Sequence, residues 1–202
     1  MCAAGTMPGE LHKLWKSGKP GSYHMEYGFS CMGYEIAGAM GIKMAQPERD
    51  VICFTGDGTY MMANSEMATA AMMGVSFTVV ITDNRGFGCI NRLQMGTGGV
   101  EFNNLLDHAV HETPSAIDFA AHAGSMGATS VKVSSITELE DALAKRASIK
   151  GPYVIVIDTD PYPSTPYGGT WWEVGVPEVS ARTEVTAAHA RAKENKKTQR
   201  AN

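Results

Sequence analysis

Val51-Ile52-Cys53-Phe54-Thr55-Gly56-Asp57-Gly58-Thr59 is the stretch whose reading decides the fold. An apolar run of strand length ends in a Gly-Asp-Gly turn. A second apolar run, Phe77-Thr78-Val79-Val80-Ile81, ends in another polar turn, Asp83-Asn84-Arg85-Gly86. Asp57 and Asn84 stand 27 residues apart, each just past a strand. Between the runs the spacing predicts a helix over about Asn64–Met73, closed by Gly74 as a helix C-terminus should be. Strand, helix and strand in this order favour parallel pairing, and parallel sheets bind ligands at the carboxyl ends of their strands. Asp57 then supplies a carboxylate oxygen and Asn84 an amide oxygen at adjacent tips. Gly86 offers a backbone carbonyl that no side chain holds away. Mg²⁺ takes hard oxygens in octahedral geometry, usually one or two from side chains and the rest from phosphate and water. Asp57, Asn84 and Gly86 are therefore the candidate metal ligands. The backbone of Gly56 and Gly58 and the Thr59 hydroxyl are the candidate diphosphate contacts, close to the start of a helix where unpaired N–H groups favour anions. Read singly, Gly-Asp-Gly and Asp-Asn are also common turns.

Working outward, residues 1–27 read as an irregular lead-in with a short helix around Glu10–Lys16. Residues 33–46 read as a small-residue helix stopped by Pro47. After Gly88 comes a glycine-rich and then polar segment, 95–114, read as a mobile loop. Its Gly96, Gly98 and Gly99 suit a loop that orders over a ligand, or a plain flexible connection. A helix near Ser115–Ala123, a strand at 129–133, a helix capped by Ser135 and running to Ile149, and a strand at 153–158 complete the pattern. The fold class is α/β, a parallel sheet with helices on both faces, in one domain over residues 1–180. Residues 181–202 form a charged, alanine-rich tail, read as a solvated helix or a fraying end.

Composition sets limits. The chain has 202 residues, 44% of them hydrophobic, with 22 glycines, net charge −4 and pI about 5.9. That is enough for one substantial core and gives no basic surface for nucleic acid. No apolar run has membrane-spanning length, and Met1–Glu10 lacks the pattern of a secretory signal. The four cysteines lack CxxC spacing and read as reduced thiols, pointing to a cytoplasmic protein. Cys31 and Cys89 read as buried inert thiols. The thirteen methionines read as core filling, Met32 among them. His24 reads as a structural histidine or a substrate contact; His108, His111 and His122 lack metal-ligand spacing and read as loop or helix surface.

The Gly-Asp-Gly motif with its Asn84 resembles the diphosphate-binding motif of thiamine diphosphate enzymes. Tyr27 to Gln46 resembles the segment that precedes it in the acetolactate synthase and decarboxylase branch. Three further stretches, Tyr23–Ile36, Asp83–Gln94 and Trp171–Ser180, are similar to a member of that branch that hydrolyses a carbon–carbon bond of a cyclic 1,2-diketone in inositol catabolism. The resemblance implies thiamine diphosphate and Mg²⁺ as cofactors, with Met32 propping the cofactor in a V shape and the backbone near Ser30 contacting its aminopyrimidine. It implies a small-molecule substrate and a homo-oligomer. It also implies a separate pyrimidine-binding domain whose glutamate drives cofactor activation and which this chain lacks, so that the chain alone is inactive or nearly so. Glu26 and Glu35 lie near the right segment but do not sit in that glutamate's motif. An acetolactate synthase-like carboligase or decarboxylase domain, and a non-catalytic cofactor-binding half-protein, remain alternatives. Trp171 and Trp172 read either as a cap or partner surface, or as core.

Overall fold

β1 (Ile52–Gly56), β2 (Thr78–Asp83), β3 (Thr129–Val133) and β4 (Tyr153–Asp158) form one fully parallel sheet in the order β1-β2-β4-β3. The computed structural model describes residues 1–26, 28–165 and 175–198. Strand side chains alternate between faces, and the register assigns each face its own cover. Cys53, Val79, Ile81, Val154 and Val156 share one face and pack with α2 (Tyr34–Ala45), α4 (Glu66–Met73) and α6 (Phe119–Ser125). Tyr153, Ile155, Ile157 and Val133 face the other way and pack under α7 (Ile136–Lys145) through Leu139, Ala142 and Leu143. Helices thus lie on both faces. The central strands β2 and β4 are nearly continuous apolar runs because neither face meets water.

The lead-in is more ordered than its composition suggests. The Met1 ammonium donates to the Ile52 carbonyl at 2.8 Å, and Phe54 N–H donates to the Met1 carbonyl at 2.8 Å. Cys2 bridges to Met25 and is fully buried. These backbone bonds extend the sheet past the edge of β1, a role carried by main-chain groups that leave no side-chain signature. The first helix, α1, spans Thr6–Leu14, not Glu10–Lys16, and ends where Trp15 turns extended. The Gly-Asp-Gly turn is itself helical from its aspartate onward: α3 runs Asp57–Met62.

Other boundaries shift for local reasons. Asp118 accepts from the Ala121 N–H at 2.9 Å and so starts α6 later than the expected Ser115. Ser135 caps α7 through the Glu138 N–H at 3.2 Å, as its spacing predicts, but Glu138 reaches back to Ser134 rather than to Ser135. The helix stops at Lys145, and a short 3₁₀ turn follows at Arg146–Ser148. A helix, α5 (Gly88–Gly96), fills the stretch read as the end of a turn and the start of a loop. The tail is the helix α8 (Thr183–Lys196), and it is not wholly solvated: Val185 and Ala188, one turn apart, are buried. Gly98 lies against its first turn, where a Cβ would stand 2.6 Å from the Glu184 backbone. Close packing on α8 therefore accounts for this glycine without a ligand.

Core filling explains Met40 and Met67, but not Met44, Met61, Met62, Met72, Met73 or Met95, which are exposed. α3 and α4 bury a single face each, so their outward methionines have no core to enter. Cys31 is exposed rather than buried, and Cys89 is half-buried. Trp171 and Trp172 lie outside the described residues. Ile81 fills the covered face of β2 and is fully buried, whereas Ile136 at the start of α7 is 67% exposed. Ile81→Ala should cost roughly 2–5 kcal/mol in urea unfolding and Ile136→Ala about 0.5 or less; equal losses would contradict the placement of these residues.

Candidate functional site

The pairing Gly56↔Thr82 brings the tips of β1 and β2 side by side. Asp57, 5% exposed, stands on one tip and Asn84, 7% exposed, just beyond the other. The Asp57 carboxylate accepts the Gly86 N–H at 2.8 Å and the Asn84 N–H at 3.4 Å, so one side chain from α3 holds the whole turn after β2. The Asn84 amide points into the same spot. One of its terminal atoms lies 2.8 Å from the Gly86 carbonyl oxygen and 3.3 Å from Asp57 Oδ1. As an amide nitrogen that atom donates to both oxygens; turned by half a revolution, it is a third oxygen facing them. Three oxygens that close repel unless a cation lies between them. The edge of a magnesium octahedron, with bonds of about 2.1 Å, is about 3 Å, and the two spacings here straddle it. The arrangement can therefore hold a hard divalent ion.

The backbone around this point leaves little latitude. Gly86 has φ +142 and sits against Leu105, whose Cα would be 3.0 Å from an added Cβ. Phe87 N–H donates to the Asn104 carbonyl at 2.7 Å, and Leu106 N–H to the Arg85 carbonyl at 2.9 Å. The segment after α5 thus braces the turn from behind. Arg85 adopts left-handed φ +59, held by the Asp83 carboxylate accepting its N–H at 2.9 Å. A Cβ on Gly58, in α3, would meet the Phe87 ring at 2.6 Å, so a side chain here would have to displace that ring.

A cavity of about 160 Å³ opens at these tips. Ser30, Met32, Gly56, Gly58, Thr59, Asn84 and Gly86 all line it, while Asp57 reaches the same spot through its hydrogen bonds. Every sequence-predicted site residue is therefore brought to one place. Sequence reasoning placed Cys89 beside the site but missed part of the wall: Ala4 to Met7, at the start of α1, and Phe87, Gly88 and Ile90, at the start of α5. The signal for the second group was that it continues the turn carrying Asn84; Ala4 to Met7 left none in the sequence. The cavity is smaller than the roughly 300–1,000 Å³ that encloses a drug-sized ligand, so a larger molecule anchored here by one end projects beyond it.

A wider cleft of about 410 Å³ lies beyond Asp57, bordered by Asp83, Asp118, Lys132 and Asp158. Its two cations are already matched, Lys132 bonding Asp158 at 2.9 Å and Arg85 bonding Asp107 at 3.2 Å. His24 bonds the Tyr34 hydroxyl at 3.1 Å, the structural role expected of it. His122 is not merely surface: its Nδ1 lies 2.9 Å from the hydroxyl of the buried Tyr60. His108 bridges toward Glu101 and Tyr162. Among the described residues no cluster of three or more His, Cys, Asp or Glu side chains could hold a metal, which leaves the mixed carboxylate, amide and carbonyl set.

Burial raises the Asp57 pKa to about 6, and the neighbouring Asp83 adds to the rise; the backbone N–H groups of Asn84 and Gly86 oppose it. The folded chain binds the Asp57 proton more tightly than the unfolded chain does. Its contribution to stability is thus full below the ordinary carboxylate range and is lost as pH rises through about 6. Relative to Asp57→Ala, the ion-free wild type should lose up to about 3 kcal/mol of unfolding free energy between pH 4 and pH 7. A difference between the two proteins that stays constant across this window would contradict the burial of a chargeable carboxylate.

Comparison with known proteins places the chain in a family. Residues 3–157 match the family described as thiamine pyrophosphate enzyme, C-terminal TPP binding domain. A 3D-(3,5/4)-trihydroxycyclohexane-1,2-dione hydrolase 2 of Bacillus cereus is 43% identical over 197 residues, covering 93% of this chain and 30% of that protein. A 3D-(3,5/4)-trihydroxycyclohexane-1,2-dione hydrolase of Bacillus thuringiensis is 44% identical with the same coverage. The chain thus spans about a third of the length of these relatives. Among solved structures, the thiamine diphosphate-dependent 4-hydroxybenzoylformate decarboxylase of Rhodococcus jostii RHA1 shares the fold, with a TM-score of 0.60 at 20% identity over 70% of this chain and 25% of that one.

Proposed function

The chain belongs to the family of C-terminal TPP-binding domains of thiamine pyrophosphate enzymes, and from that premise we propose that it holds the Mg²⁺-diphosphate end of thiamine diphosphate in an enzyme that hydrolyses a carbon–carbon bond of a cyclic 1,2-diketone. The substrate class is the trihydroxycyclohexane-1,2-dione named for its relatives, a step of inositol catabolism. Residues 1–180 are the binding domain, and 181–202 a charged C-terminal tail that carries the helix Thr183–Lys196. The observation that carries this reading is the meeting of the Asp57 carboxylate, the Asn84 amide and the Gly86 carbonyl at neighbouring strand tips.

In this reading Asp57, Asn84 and the Gly86 carbonyl hold the ion. Gly56, Gly58 and Thr59 face the diphosphate, whose negative charge the ion and the backbone N–H groups offset. Ser30 and Met32 line the same cavity and would meet the ring end of the cofactor. Bound thiamine diphosphate supplies the thiazolium that takes up the electrons of the breaking bond. This chain's own part is to fix the anchor, keep the ligand oxygens aligned and present Met32 to the rings. The cavity is too small to enclose the whole cofactor, which fits a second wall supplied by a pyrimidine-binding domain, from the rest of the enzyme or from another subunit of a homo-oligomer. The four cysteines are free, and no described helix is long and apolar enough to cross a membrane. Both suit the cytoplasmic placement we propose.

Calorimetry tests the anchor. Thiamine diphosphate should bind the chain only in the presence of Mg²⁺, and Asp57→Ala should abolish that binding; equal affinity with and without the metal would refute the site. A turnover assay tests the chemistry. The chain alone should be inactive. When the chain is combined with the amino-terminal two-thirds of a relative, the cyclic diketone should be consumed and pyruvate should not; turnover of pyruvate alone would replace the hydrolase reading with a carboligase or decarboxylase.

A further inference from the structure

Two carboxylates that flank it along the chain, Glu26 and Glu35, hold the turn that carries Ser30 and Met32. Ser30 has left-handed φ +53 and Gly33 has φ +98, so Cys31 and Met32 sit between two residues in a conformation that ordinary side chains disfavour. Such backbone persists only where its surroundings over-determine it. From the solvent side, Glu26 accepts the Cys31 N–H at 2.8 Å and the Phe29 N–H at 3.1 Å. From the core side, Glu35 accepts the Gly33 N–H at 2.9 Å.

Glu35 is costly to place where it is. It is 1% exposed, its Oε1 has no hydrogen-bond partner, and among the described residues no cation bonds it. Burial raises its pKa, and the backbone N–H groups of Glu35 itself, Gly33 and Ala4 oppose the rise. A buried acid with one oxygen unsatisfied detracts from stability, and an apolar residue at the start of α2 would serve the core better. Its bond to the Gly33 N–H serves the turn. Glu26 is held below the usual carboxylate range by the N–H groups of Cys31 and Phe29, so it stays charged and keeps accepting both at neutral pH. Gly33 has no room to adjust: a Cβ there would lie 3.0 Å from that of Ala63.

We propose that Glu26 and Glu35 are positioning residues that clamp the Ser30–Gly33 turn from opposite sides, so that Ser30 and Met32 already line the cavity before a ligand arrives. The clamp acts on the ring end of a bound cofactor and leaves its diphosphate end alone, because the Asp57, Asn84 and Gly86 cluster is braced separately by Asn104 and Leu105. This inference rests on the cofactor reading above.

Two probes separate the ends: magnesium pyrophosphate, which engages only the anchor, and magnesium thiamine diphosphate, which also meets the turn. Titrating the full chain, Glu35→Ala and Glu26→Ala should each weaken thiamine diphosphate roughly tenfold, the loss of one or two charge-assisted hydrogen bonds, and leave pyrophosphate affinity within about twofold. Glu35→Gln, which keeps an acceptor for the Gly33 N–H, should restore binding. In a Met32→Ala background the effect of Glu35→Ala should largely vanish, because Glu35 acts through the turn that presents Met32. Glu26 faces solvent, so its variant decides the matter if Glu35→Ala does not fold. Equal weakening of both probes, or no weakening of thiamine diphosphate, would overturn the clamp. Failure of the wild-type chain to bind magnesium pyrophosphate would instead remove the anchor, and the clamp with it.

Discussion

The hydrogen bond from the Gly86 N–H to the Asp57 carboxylate, 2.8 Å across the gap between two strand tips, is the interaction on which the site depends. It ties the first residue of α3 to the turn leaving β2, and it does so from a buried position where an acid is costly. The bond exists only because β1 and β2 pair in parallel with Gly56 opposite Thr82; a slip of one residue would turn Asp57 away. Everything that packs the sheet, from the apolar face under α2, α4 and α6 to the cover of α7, fixes this one juxtaposition.

Function then follows from what the fold leaves unbalanced. Asp57 carries a charge that burial resists, and the amide of Asn84 sits where either its nitrogen or its oxygen can face two acceptors. Glu35 adds a second buried acid with an unpaired oxygen. A chain selected only for stability would keep none of these. Each lies at or directly behind the same cavity, the pattern expected where stability is given up for a ligand. The exposed methionines of α3 and α4, and the small size of the cavity, both suit the second protein wall proposed above.

Much of this was legible in the sequence, for identifiable reasons. Apolar runs ending in Gly-Asp-Gly and Asp-Asn marked β1 and β2 because strands covered on both faces need no polar alternation. Gly74 marked the end of α4 and Ser135 the start of α7, because each cap uses one characteristic residue. What escaped notice was held by main-chain groups or by distant packing. Met1 and Cys2 extend the sheet with backbone bonds. α5 begins on a glycine after a turn, with Phe87 at its N-cap making no side-chain cap. Gly98 is a glycine because α8, more than eighty residues away in sequence, lies on it. Within the site, Asp57, Asn84 and Gly86 could be read from spacing. Glu26 and Glu35 could not, since their role depends on a left-handed turn that no local pattern announces.

The most direct test of the account is a crystal of the chain grown with Mn²⁺ and thiamine diphosphate, with the ion located from its anomalous signal. The ion should lie about 2.1 Å from Asp57, from the Asn84 side-chain oxygen and from the Gly86 carbonyl, with diphosphate oxygens completing its shell. An ion seated instead between Asp83 and Asp158 in the wider cleft, or diphosphate bound with no ion at the strand tips, would contradict it.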